Sequence, residues 1–379
     1  MSDLPPTSAQ ADILTYVRNG IGFVELNRPK AANALSPEMI GAWRAALARW
    51  RDDPEVLATV AWGAHPCGLC AGGDIRFFHD AARRGDQAAI DAFFIDGYTL
   101  NHELFRYPKP YVALMHGTVM GGGIGIAQAA RHTGGLRVVS DSTRIAVPET
   151  RIGHVSDAGV AWYLARLPGS LGRYLAVTGA TLDAAGALHA GLADRYLPEA
   201  ALPALIEALR HEHFGSGAEV VARIAAEAAR HKVVPTPDTS WLADSRESIE
   251  RHFSRPDLTS ILASMDNERD CAALDRWVEQ TGHAMRERLS PLSMAMSLQA
   301  VDRARDSTLA ETLRRDLDLT RSGAARGDVL EGVRAMLVDK DRAPRWRFAS
   351  PAELRREAVE AMFESPWSAD THPLRDLRD

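Results

Sequence analysis

Cysteine is scarce in this chain: three thiols (Cys67, Cys70, Cys271) stand among 379 residues. Three thiols cannot build a disulfide framework, which excludes the stapled secreted folds and suits a reducing compartment. Basic charge is not in excess either, since 44 Lys and Arg against 50 Asp and Glu leave a net charge of −6. No positive field therefore favours nucleic acid or an anionic membrane, although a local Lys/Arg cluster can still hold a phosphate-bearing small molecule. The first residues lack the positive n-region and apolar h-region of a secretion signal, and they show no Arg-rich transit pattern. The expectation is a cytoplasmic protein. The uncharged stretch 111–130 is long enough to suggest a membrane span. Gly121–Gly123, His116 and Gln128 within it predict instead a buried strand, a glycine turn and a buried helix. Internal repeats and low-complexity tracts are absent.

Glycine is placed where it carries chemistry. Two loops, Cys70-Ala-Gly-Gly73-Asp74 and Met120-Gly-Gly122-Gly-Ile-Gly125, precede Val147-Pro-Glu149 and Asp157-Ala-Gly159. Glycine runs leave backbone N–H groups unshielded, so that two of them can aim at one oxygen atom. Paired donors beside a carboxylate are what chemistry at an acyl carbonyl requires. Cys67-Gly-Leu-Cys70 has redox spacing, but it opens a glycine loop and lacks the second cysteine pair of a zinc site.

The chain alternates strands and helices as far as about Pro198. Asn19-Gly20 between two apolar runs predicts a hairpin, and Ser36-Pro37 predicts a helix start running to about Arg51. Strands are expected over 56–62, 111–116, 136–140 and 144–147. Helices are expected over 75–84, 87–106, from the second glycine loop to Ala130, and onward from Asp157. Such alternation implies an α/β core with ligands at the loops after strand ends. Beyond Pro198 the pattern is helical, with a linker at 233–240. The division read from this is an α/β core over 1–198 and a helical C-terminal region over 199–379 packing on it.

The combination resembles the enoyl-CoA hydratase/isomerase (crotonase) superfamily, and within it the 3-hydroxyisobutyryl-CoA hydrolase branch. The matching stretches are Leu26-Asn-Arg-Pro-Lys-Ala-Ala-Asn-Ala-Leu35, Cys67-Gly-Leu-Cys-Ala-Gly-Gly-Asp-Ile75, Lys109-Pro-Tyr-Val-Ala-Leu-Met-His-Gly117, Met120-Gly-Gly-Gly123 and Pro148-Glu149. Ser290-Pro-Leu-Ser293, the segment from Glu331 to Asp341, Pro344 and Trp346 continue the likeness. The resemblance implies a repeated ββα spiral core, with a helical C-terminal extension. It implies that the Gly73 and Gly122 N–H groups form an oxyanion hole, and that Glu149 attacks the thioester or activates water. Asp157 is then the second carboxylate, contacting a substrate hydroxyl or placing the water. Lys30, Ala31 and Asn33, together with Asp74 and Ile75, sit where relatives contact CoA. The substrate is a short 3-hydroxyacyl-CoA, with 3-hydroxyisobutyryl-CoA of valine breakdown as the best match. No metal or redox cofactor is implied, since CoA arrives with the substrate, and relatives assemble as homo-oligomers.

Each role has a competing reading. The glycines can serve tight turns alone. Glu149 can be a surface group paired with Arg144 or Arg151, and Asp157 can be a helix N-cap. Hydratases of this superfamily place a second glutamate where this chain has Gly125, which disfavours hydration of an enoyl double bond. Gly97, Val155, Ser156 and Val160 depart from the hydrolase pattern around the acyl pocket. Hydratase or isomerase activity is therefore the alternative enzyme reading, and a catalytically silent CoA-binding protein is a third. His211-Glu-His213 puts two histidines on diverging directions of a helix and makes no metal site.

Overall fold

The computed structural model describes residues 11–231, 241–269 and 276–379. The expected linker at 233–240 and Cys271 lie outside the described residues. Among the described residues eight strands occur, β1 (Ile13–Arg18), β2 (Ile21–Leu26), β3 (Ala58–Gly63), β4 (Tyr111–Met115), β5 (Thr118–Met120), β6 (Arg137–Val139), β7 (Arg144–Ala146) and β8 (Arg195–Tyr196). The chain divides into two compact units. Of the described residues, one holds 11–73, 99–145 and 182–231, and the other holds 74–98, 146–181, 241–269 and 276–379.

In the first unit, β1 and β2 form the expected hairpin, with Ile13 opposite Leu26 and Arg18 opposite Ile21. Asn19 (φ 45°) and Gly20 (φ 76°) supply the two left-handed residues that the tight turn needs. A six-stranded sheet follows in the order β1-β2-β3-β4-β6-β8, and all pairs beyond the hairpin are parallel. Every residue of β3 and β4 is buried, as parallel strands covered on both faces require. β5 and β7 pair in a separate two-stranded sheet. The successions β4–β5–helix Gly122–Gln128 and β6–β7–short helix Pro148–Ile152 are two turns of the strand–strand–helix spiral. Residues 111–130 are thus strand, turn and helix, and no described helix is long and apolar enough to cross a membrane.

The helices over 200–231 do not belong with the C-terminal region, as the sequence division at residue 198 had it. Leu202, Leu205, Ile206 and Leu209 recur at helical spacing along Leu202–His211 and, with Val220 and Ile224 of Gly217–Ala229, bury against Ile21, Phe23, Val60, Val112 and Val138 of the sheet. Composition alone reads as a helical extension here, but the apolar stripe closes the first core.

The second unit is mostly helical. Its long members are Pro291–Ala304, capped where Ser290 Oγ accepts from Ser293 N (3.0 Å), and Leu309–Arg326, which opens with a Thr308–Glu311 capping box. Both belong to the same unit as the 146–181 segment, so the unit combines chain from both sides of residue 198.

If the 202–224 stripe completes the sheet core, Leu209→Ala, at a fully buried position, should cost about 2–5 kcal/mol. Denaturant unfolding of the purified chain measures this. A cost below about 1 kcal/mol would place the helix outside the core.

Candidate active site

The two glycine loops meet in the first unit. Met120 N donates to Cys70 O (3.0 Å), and Cys70 pairs with Val119 in a parallel bridge. A Cβ on Gly123 would lie 2.3 Å from Cys70 O, and one on Gly72 would lie 3.2 Å from Gly122 N. Side chains at these positions would force the loops apart. Leu35 N donates to Gly72 O (2.8 Å) and fixes the first loop from the other side. Among the described residues, no backbone carbonyl accepts from Gly73 N–H. Gly122 is the first residue of its helix, where N–H groups lack an intrahelical acceptor. Gly125 is buried in that helix and presents no side chain.

Cys70 is buried, and burial pushes its thiol up to about 12. Cys67 Sγ donates to Pro29 O (3.0 Å). Asn33, fully buried, accepts from Arg28 N (2.8 Å) and donates to Gly68 O (2.7 Å). Its side chain ties two loops together. Lys30 is exposed and Ala31 half-buried on the adjoining turn Pro29–Ala31.

Within the second unit, Asp74 caps the Ile75–Arg83 helix by accepting from Arg76 N (3.1 Å) and Phe77 N (3.2 Å). Ile75, the first residue of that helix, is half-buried. The carboxylates form the centre of this unit. Glu149 sits in the short helix Pro148–Ile152 and is 5% exposed, with no partner for Oε2. Burial first, and the Asp157 carboxylate second, push its pKa up to about 8. A surface pairing with Arg144 or Arg151 is excluded, since Arg151 instead donates to Gly179 O (3.0 Å). Asp157 Oδ2 accepts from Tyr98 OH (2.6 Å), which also meets Thr320 Oγ1 (2.8 Å), and His154 Nε2 stands 3.4 Å from the same oxygen. The helix-cap reading of Asp157 fails, because Gly159 is the N-cap of the following helix Val160–Leu164 and that helix has no side-chain cap.

The C-terminal helices hold this loop. Ser290 N donates to Thr150 O (3.1 Å), Ser293 Oγ donates to His154 O, and Ser156 N donates to Ser297 Oγ (3.3 Å). Gly159 N donates to Asp316 Oδ2 (2.8 Å) across the left-handed pair Ala158–Gly159. Burial first and Asp157 second push the Asp316 carboxyl well above its ordinary range. A Cβ on Gly153 would lie 2.6 Å from Asp328 Cβ, so the turn after Glu149 fits only glycine. Tyr98, Thr320 and Asp316 were not read as site residues from sequence. Nothing in the local sequence around them marks their roles.

Residues 21–363 match the model of the enoyl-CoA hydratase/isomerase family, and the chain belongs to that family. It is 34% identical to the mitochondrial 3-hydroxyisobutyryl-CoA hydrolase of Xenopus tropicalis, over 92% of this chain and 88% of the relative. Identity to the mitochondrial 3-hydroxyisobutyryl-CoA hydrolase of Homo sapiens is 32%, covering 96% and 91%. The crystal structure of a carnitinyl-CoA dehydratase from Mycobacterium thermoresistibile matches with a TM-score of 0.85 at 34% identity, covering 97% of this chain and 100% of that one. The expected α/β crotonase-like fold is thereby established. The cytoplasmic expectation is corrected, because these hydrolase relatives are named mitochondrial. Few cysteines indicate reducing conditions, and that property does not separate the cytosol from other reducing compartments.

The raised Glu149 pKa makes a stability prediction. Its neutral form favours the folded state fully below its ordinary pKa of 4.5, and this contribution is lost as pH rises through about 8. Glu149→Gln stays neutral throughout. Its stability relative to the unsubstituted chain should therefore grow between pH 5 and 9, by on the order of a few kcal/mol. Urea unfolding at several pH values reads this, and a difference that stays constant with pH would contradict it.

Proposed function

We propose that the chain hydrolyses short 3-hydroxyacyl-CoA thioesters, 3-hydroxyisobutyryl-CoA first among them, giving 3-hydroxyisobutyrate and CoA in valine breakdown. The reading rests on one observation above all. A buried carboxyl with an unpartnered oxygen, Glu149, lies beside a carboxylate, Asp157, that Tyr98 holds in place. The names of the hydrolase relatives support the same chemistry.

In this proposal the Gly73 and Gly122 N–H groups receive the negative charge that develops on the thioester oxygen. Glu149, as its carboxylate, either attacks the carbonyl carbon or takes a proton from the attacking water. The first route gives an anhydride that water then opens. Either way the C–S bond breaks, and the CoA sulfur leaves and gains a proton. Asp157 receives the substrate hydroxyl or places the water. Lys30, Ala31, Asp74 and Ile75 are proposed contacts for CoA, Asn33 only through its backbone. The chemical step calls for no metal or redox cofactor. Assembly as a homo-oligomer belongs to the same proposal, and the mass in solution tests it. A hydratase would need a second carboxylate where Gly125 stands. The likeness to a solved dehydratase nevertheless makes crotonyl-CoA a necessary control.

Thiol release from a panel of acyl-CoAs should be fast with 3-hydroxyisobutyryl-CoA and slow with acetyl- and crotonyl-CoA. Glu149→Gln should lower it about 10²–10⁴-fold. Retained turnover in that variant, or loss of enoyl absorbance from crotonyl-CoA, would overturn the reading. Both roles of Glu149 need the ionised form, so kcat/KM should climb with pH and level off above about 8. Asp157→Asn removes the neighbouring charge, and it should move that rising limb to lower pH while lowering the plateau. A limb in the ordinary carboxylate range, or one unmoved by the substitution, would contradict the assignment.

A further inference from the structure

Three ligand-type side chains in the first unit converge after the ends of parallel strands, at positions far apart in sequence. His65 follows β3, His116 follows β4, and Glu199 follows β8. One ligating atom from each lies within 4.8 Å of the others. His65 Nε2 and Glu199 Oε1 are 3.3 Å apart. That is close to the roughly 3.3–3.4 Å edge of a tetrahedron with bonds of about 2.0–2.1 Å, the geometry of zinc held by imidazole and carboxylate. The His65 and His116 rings lie 5.2 Å apart, tilted and not stacked.

His116 supplies the independent observation. It is 2% exposed, and neither ring nitrogen reaches full hydrogen-bond geometry, although the Leu114 and Gly63 carbonyls lie beside the ring. Buried polar groups in native proteins are almost always satisfied by protein, water or an ion. Burial first and His65 second hold the His116 pKa below its ordinary value, against the opposing pull of Glu199 and the Leu114 and Gly63 carbonyls. A neutral imidazole is the form that binds a metal. His65 is exposed (54%) and Glu199 partly so (21%), which leaves an entry path and room for water as a fourth ligand.

We propose that His65, His116 and Glu199 form a binding site for a borderline transition-metal dication, Zn²⁺ by its ligand set. The site adjoins the roots of both glycine loops, since Gly68 and Gly117 pair directly downstream of His65 and His116. A bound ion would staple the loops that carry Gly73 and Gly122. This departs from the sequence expectation of no metal ligands and does not depend on the thioesterase reading. His211 is otherwise engaged, paired with Glu207 at 2.7 Å.

The test is Zn²⁺ titration of the full chain by calorimetry, with thermal melts in Zn²⁺ and in EDTA. One equivalent should bind and raise the melting temperature. Two surface-accessible variants, His65→Ala and Glu199→Gln, should each weaken binding at least about tenfold and lose the thermal shift, while the EDTA-treated proteins melt alike. His116→Ala should abolish binding if it folds. No stoichiometric binding would overturn the proposal, and so would unchanged affinity in both surface variants.

Discussion

A carboxyl group withdrawn from water favours its neutral form, and a second carboxylate nearby strengthens that preference. Glu149 is subject to both effects, and the second unit is arranged around keeping it so. The segment from Pro148 to Gly159 has little regular structure of its own, so other elements must hold it. Ser290, Ser293, Ser297 and Asp316 of the C-terminal helices supply the partners. Asp157 stays beside Glu149 because Tyr98, braced by Thr320, donates to it. The C-terminal extension therefore does more than cover apolar surface. It holds the loop that carries the carboxylate pair.

Much of this was legible in the sequence where the determinants are local. Asn19-Gly20 specified its hairpin and Ser36-Pro37 its helix start, because turn and cap chemistry is settled within a few residues. The glycine loops were recognisable for the same reason. Ser290-Pro-Leu-Ser293 was also visible, but only as a likeness. That its first serine binds Thr150 and its last binds His154 is a long-range fact that no spacing encodes. Asp316 and Thr320 look like ordinary polar residues on an amphipathic helix, and only the fold buries them against Asp157. Asn33, a motif position expected to meet CoA, uses its side chain to join two loops, a long-range contact that its local spacing does not encode.

The single boundary at residue 198 was misleading because composition changes there while the core does not. The stripe Leu202, Leu205, Ile206, Leu209 continues the first unit past the last strand. Residues 146–181, which carry both carboxylates, fold instead with helices beyond residue 241. Gly73 and Gly122 thus fall in the first unit, and Glu149 and Asp157 in the second.

The central claim is that Glu149 is held protonated near neutrality by burial and by Asp157. An isotope-edited carbon NMR titration of the Glu149 carboxyl, with Asp157→Asn alongside, tests it most directly. The account predicts a midpoint near 8 in the unsubstituted chain, falling when the Asp157 charge is removed. A midpoint near the ordinary 4.5, unchanged by that substitution, would contradict it.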